Sequence, residues 1–109
     1  MKELEIVSTG DASANIDSAP VDLGEQKEYS IQVTFVGGTA AGTLSLEASN
    51  DSTTFATVAD SDQIIAGGAP HVYNVGNAGY RFFRLHWEVS SGSDTMTAKC
   101  LIKEPSNRY

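Results

Sequence analysis

The sequence holds one cysteine, Cys100, so it cannot form an internal disulfide and has no thiolate pair for a structural zinc site. It is also poor in bases. Seven Lys and Arg stand against fourteen Asp and Glu, a net charge of -7, which is the wrong sign for a phosphate-backbone partner and argues against nucleic acid. Its longest apolar runs, such as Phe82-Phe83 and Ile64-Ile65-Ala66, fall far below the roughly 20 residues that span a bilayer, so no membrane partner is expected. Charges at Lys2, Glu3 and Glu5 occupy the place where a secretory signal needs its apolar stretch, which predicts synthesis in a cytoplasm. Helix-building Leu, Lys, Arg and Glu are sparse for 109 residues, and Ser, Thr, Gly and Ala dominate. That balance leans towards an all-β protein.

What is present is alternation. Residues 29–35 place Tyr29, Ile31, Val33 and Phe35 on one face, the mark of a half-buried strand. After Gly37-Gly38, Leu44, Leu46 and Ala48 alternate again, so the two segments are expected to pair as antiparallel neighbours. Asn50-Asp51-Ser52 is a turn signal, a short strand is expected at 55–58, and 59–69 reads as a loop. A strand of uncertain facing follows at 71–75. Residues 80–89 put Phe83, Leu85, Trp87 and Val89 inward, and 95–102 put Met96, Ala98, Cys100 and Ile102 inward, as if the two formed a hairpin. Upstream, Leu4 to Ile6 reads as a short first strand, and 15–26 as an irregular connection with a brief edge strand. The expected fold is an all-β, two-sheet antiparallel sandwich or jelly roll over residues 1–103, with 104–109 as a tail set off by Pro105. Its expected core is Ile31, Val33, Phe35, Leu44, Leu46, Phe83, Leu85, Trp87, Met96, Ala98 and Ile102.

No catalytic constellation emerges. Gly-x-Ser-x-Gly is missing, and Gly37-Gly38, Gly42 and Gly67-Gly68 lack the Lys-Ser/Thr of a phosphate loop, so they read as turn glycines. Cys100 points inward while His86 points outward, which separates the pair a thiol nucleophile would need. Asp60, Asp62 and Asp51 with Asn50 could converge on calcium, but carboxylates in β loops are ordinarily solvated turn residues. His71 and His86 lie on different strands with no spaced partner to complete a transition-metal set. The expectation is therefore no enzyme, no metal and no cofactor. Arg84 and Glu88 are expected to face solvent. Tyr73 and Tyr80, beside Phe82, could present ring faces to a pyranose, which defines a carbohydrate-binding module as the alternative.

Two resemblances add to this reading. Residues 46–55, Leu-Glu-Ala-Ser-Asn-Asp-Ser-Thr-Thr-Phe, and 80–85, Tyr-Arg-Phe-Phe-Arg-Leu, are similar to words of discoidin-type, galactose-binding-like jelly rolls. Ser52 replaces that family's usual Gly and Phe55 its usual Trp, and its paired cysteines are missing, so the resemblance implies the sandwich and not the glycan loops. Over residues 32–102 the running pattern resembles small virion proteins of bacteriophages, which implies a structural role on the particle, of capsid-decoration or another surface accessory type. Expected partners are other virion proteins and further copies of the chain, a homo-oligomer. Sandwich edges and chain ends would make those contacts, with Leu4 and Ile6 in a strand added to a partner, and Arg108 and Tyr109 as anchors.

Overall fold

The alternating segments become strands whose apolar faces meet between two sheets. The computed structural model describes residues 2–103, which form ten strands: β1 Lys2–Asp11, β2 Ile16–Asp17, β3 Val21–Asp22, β4 Glu28–Val36, β5 Ala41–Ser49, β6 Ala56–Thr57, β7 Gln63–Ile65, β8 His71–Val75, β9 Phe82–Ser91 and β10 Thr95–Lys103. Sheet A runs β1-β10-β4-β8, and every pair in it is antiparallel. Sheet B has β9 beside β5 at its centre, with β2 and β3 both on the far side of β9, and β6 and β7 both on the far side of β5. Taking β2 with β3, and β6 with β7, as two broken strands leaves eight strand positions in the order of a jelly roll.

The buried set contains the expected core. Ile31, Val33, Leu44, Phe83, Leu85, Trp87, Met96 and Ala98 are fully enclosed, Leu46 and Ile102 nearly so, and Phe35 is half-buried against the Trp87 ring at 5.1 Å. Two further aromatics join them. Tyr29 stacks on Phe83 with ring centroids 4.1 Å apart, and its hydroxyl meets that of Tyr80 at 2.7 Å. Trp87 fills the middle of the sandwich, and its indole Nε1 donates to the Ala12 carbonyl at 3.0 Å, so its polar atom is not stranded. Gly42 lies under that ring, where an added Cβ would come within 2.7 Å of Trp87 Cη2.

Three neighbour relations differ from expectation. β4 and β5 do not pair: β4 belongs to sheet A, β5 to sheet B, and residues 37–40 carry the chain from one layer to the other. β9 and β10 are likewise in opposite sheets and not a hairpin. The segment 59–69 contains β7, whose three residues pair with Gly42 to Leu44. Alternation reports which side of a strand is buried, and in a sandwich both sheets bury a side, so it is silent on which strand lies next door. A buried carboxylate locks both crossovers. Asp94, 2% exposed, accepts the Thr39 amide at 2.9 and 3.1 Å on its two oxygens, together with the Thr39 hydroxyl. Its own carbonyl accepts the Ala12 amide at 2.9 Å. Gly37 and Gly68 make room for it, since a Cβ on either would lie 2.5 Å from an Asp94 oxygen, and both have positive φ.

Candidate functional site

Between the β1 edge of sheet A and the β3 edge of sheet B lies an open groove of about 300 Å³. Leu4, Ile6, Ala19, Pro20 and Val21 line it, with Lys2, Glu5 and Asp22 at its rim. Leu4 and Ile6 were expected in a short first strand that could also be added to a partner. β1 is that strand, longer than expected, at the edge of its own sheet and paired with β10 from Lys2 to Asp11. The two side chains are half-buried against the core because β1 supplies part of its cover. The pairing slips twice, after Glu5 and after Val7, so the regular ladder is its first stretch, Lys2 to Glu5 against Ile102 to Lys99. Among the described residues no strand lies on the other side of β1. At the rim, Arg81 holds Asp22 through two 2.9 Å bonds, Nε to Oδ1 and Nη2 to Oδ2. That pair and the Gly24 amide hold the Asp22 carboxyl down at about 2. Arg108 and Tyr109 lie outside the described residues.

A second group stands on the outer face of sheet B. Asp17 is directly opposite His86 in the β2–β9 ladder, and Glu47 opposite Arg84 in the β5–β9 ladder. The Asp17 carboxylate meets His86 Nδ1 at 2.5 Å, and Arg84 Nε donates to Glu47 Oε1 at 2.5 Å. The Arg84 guanidinium also lies 4.4 Å from the centre of the Phe55 ring. Arg84 is thus half-buried rather than free in solvent. One ligand atom from each of Asp17, Glu47 and His86 falls within 4.8 Å of the others. Sequence spacing left His86 without partners. They arrive from β2 and β5, two elements that only the sheet brings together.

The other candidates resolve into structural parts. Asp51 Oδ1 accepts the amides of Thr53 and Thr54 at 2.8 and 2.9 Å and the Ser49 hydroxyl at 2.7 Å, which holds its carboxyl at about 2 and closes its own turn. Of the two rings in the carbohydrate-binding alternative, Tyr73 and Tyr80, neither is fully exposed. Tyr73 is buried with its hydroxyl donating to the Ser61 carbonyl at 2.7 Å, and burial raises its pKa. Tyr80 is half-buried with its hydroxyl turned to Tyr29. Their alternation was ambiguous, and their hydroxyls find partners inside. Cys100 is buried in sheet A, where loss of solvent pushes its thiol up to about 11. His86 lies on the outer face of the opposite sheet.

No protein-family model matches the chain, and no curated protein sequence matches it. Two solved structures share its fold. The PBSX exported protein XepA superposes with a TM-score of 0.69 at 15% identity, over 99% of this chain and 39% of its own. The SPBc2 prophage-derived protein YomS superposes with a TM-score of 0.64 at 10% identity, over 94% of this chain and 92% of its own. The chain therefore spans well under half the length of XepA but nearly the whole of YomS. At these identities the likeness is one of fold: the same sandwich occurs within a longer chain and as most of one of about this length.

Proposed function

We propose that this chain is a non-enzymatic structural component of a bacteriophage particle, a surface accessory module of the capsid-decoration kind. The observation that carries this reading is the near end-to-end correspondence with YomS, a prophage-derived protein, 94% of one chain against 92% of the other. A fold does not fix a function, so the docking site must carry the rest. The β1 edge is suited to that: its outer backbone row, unpaired among the described residues, lies beside an apolar groove with charged residues at the rim, the setting for an extended peptide added as a strand. The occupant is an extended segment of a particle protein, apolar at alternate positions to match Leu4, Ile6 and Val21. The net charge of -7 keeps decorated particles apart in solution.

Mixing the purified chain with phage particles that lack it, then sedimenting, tests the reading. The chain is expected in the particle fraction, and Leu4→Lys is expected to remain in the supernatant while keeping its melting temperature within a few degrees. A wild-type chain that never co-sediments overturns the particle role. Binding by Leu4→Lys equal to wild type overturns only the β1 groove.

A further inference from the structure

We propose that Asp17, Glu47 and His86 form a binding site for a divalent transition-metal ion of the zinc class on the outer face of sheet B. The inference is independent of the role in a particle. Imidazole and two carboxylates are a donor set that zinc accepts, three protein ligands with a fourth position left to water. Calcium and magnesium want six or more oxygens, which this set does not offer.

The frame is preset by the ladders. Asp17 and His86 are direct cross-strand partners, and Glu47 sits one step along the face on the other neighbour of β9. Their ligand atoms lie within 4.8 Å of one another, and Asp17 Oδ1 already meets His86 Nδ1 at 2.5 Å. A tetrahedral zinc with ligand bonds of about 2.0–2.1 Å spaces its donors roughly 3.3 Å apart. The Asp17–His86 pair opens slightly to admit the ion, and Glu47 closes on it. Side-chain rotation can supply that movement, since the Asp17 and His86 side chains are 47% and 25% exposed. Arg84 is the local cation that competes. Its bond goes to Glu47 Oε1, and the Phe55 ring gives its guanidinium a second hold, so Glu47 Oε2 serves the ion without displacing Arg84. The site is open to solvent on the side away from the core, so an ion has a direct path to it.

Melting curves of the full chain with Zn2+, and Co2+ absorption spectra at neutral pH, test the site. Saturating Zn2+ is expected to raise the melting temperature by several degrees, reversed by chelator, and Co2+ to give the visible absorption of a four-coordinate complex. His86→Gln is expected to abolish both responses while melting near wild type without metal. Glu47→Gln is expected to weaken binding by at least about tenfold. His71→Gln, on sheet A, is expected to leave both responses intact. Absence of any Zn2+ response in the wild-type chain, or a response that survives in His86→Gln, overturns the proposal.

Discussion

Sheet A ends in β1 and β8, strands of ten and five residues whose outer backbone faces no further strand among the described residues, whereas sheet B ends in pieces of two or three residues. The broken flanks of sheet B are repaired by side chains. Between β2 and β3, the Ser18 amide donates to the Leu85 carbonyl and the Ser18 hydroxyl accepts the Leu85 amide, both at 2.9 Å. Between β6 and β7, the Ser61 hydroxyl accepts the Leu46 amide at 3.0 Å and turns its proton to a carbonyl, with that of Val58 at 2.7 Å. Both serines are buried. Asn15 and Asn50 do the same nearer the surface, accepting the amides of Val89 at 2.9 Å and Arg81 at 3.0 Å. Short polar side chains thereby satisfy backbone donors of β9 and β5 that the broken flanks of sheet B leave over, whereas β1 and β8 are held to sheet A by backbone ladders. Both proposals follow this difference, strand addition at the long edge strand β1 and a metal ion on the outer face of sheet B.

The largest expected effect comes from removing a repair. Ser61→Ala leaves the Leu46 amide unsatisfied beneath β6 and β7 and is expected to cost roughly 1–3 kcal/mol in urea unfolding, with Ser18→Ala in the same range of about 1–3 kcal/mol. Thr97→Ala in sheet A, where the ladder bonds are made by backbone, is expected to stay within about 0.5 kcal/mol. Serine variants as mild as Thr97→Ala would mean that water replaces the hydroxyls and that the flanks of sheet B are not locked.

This asymmetry also explains what could be read in advance. β4 and β10 run nine residue pairs without a slip, Tyr29 to Phe35 against Ile102 to Met96 on one face, so period-two alternation located both strands and their facing. The centre of sheet B was legible for the same reason, through Leu44, Leu46, Phe83, Leu85 and Trp87. β2, β3, β6 and β7 are too short to hold a period, and a serine acting as a strand residue has no signature beyond being a serine. Partner strands were not legible either, because facing survives a change of sheet. Of the candidate surfaces, Leu4 and Ile6 were readable as alternating apolar positions, but the opposite wall, Ala19 to Val21, belongs to an irregular stretch. The Asp17, Glu47 and His86 group was invisible because its members come from three elements that meet only across sheet B.

A smaller effect concerns the joint between the sheets. The Thr39 hydroxyl, and then the amides of Ala40, Thr39 and Gly38, favour the ionised Asp94 and hold its pKa below the usual carboxylate value of 3.8. The unfolded chain therefore binds the proton first as pH falls, and stability from this group is present above pH 3.8 and lost as pH drops through the lowered folded value. Asp94→Asn is expected to melt below wild type at neutral pH, and the gap is expected to narrow as pH falls below about 4. Asp22 and Asp51 are also held down, so an acid slope remains in the variant. A gap that stays constant with pH would show that Asp94 locks the crossovers by shape and not by charge.

The smallest expected effect sharpens the edge comparison. Val72 on β8 and Ile64 on β7 are 58% and 79% exposed, one on an end strand of each sheet among the described residues. As isolated surface apolar residues, Val72→Thr and Ile64→Thr are each expected to change stability by no more than about 0.5 kcal/mol at any protein concentration. Oligomerisation makes the measurement informative, because a folded interface adds a concentration-dependent term to apparent stability. If sheet A associates through β8, Val72→Thr would lower the melting temperature increasingly as wild-type association sets in, while Ile64→Thr would not. A loss that grows with protein concentration in both variants would mean that the short pieces closing sheet B do not keep copies away, and that the serine repairs serve folding alone.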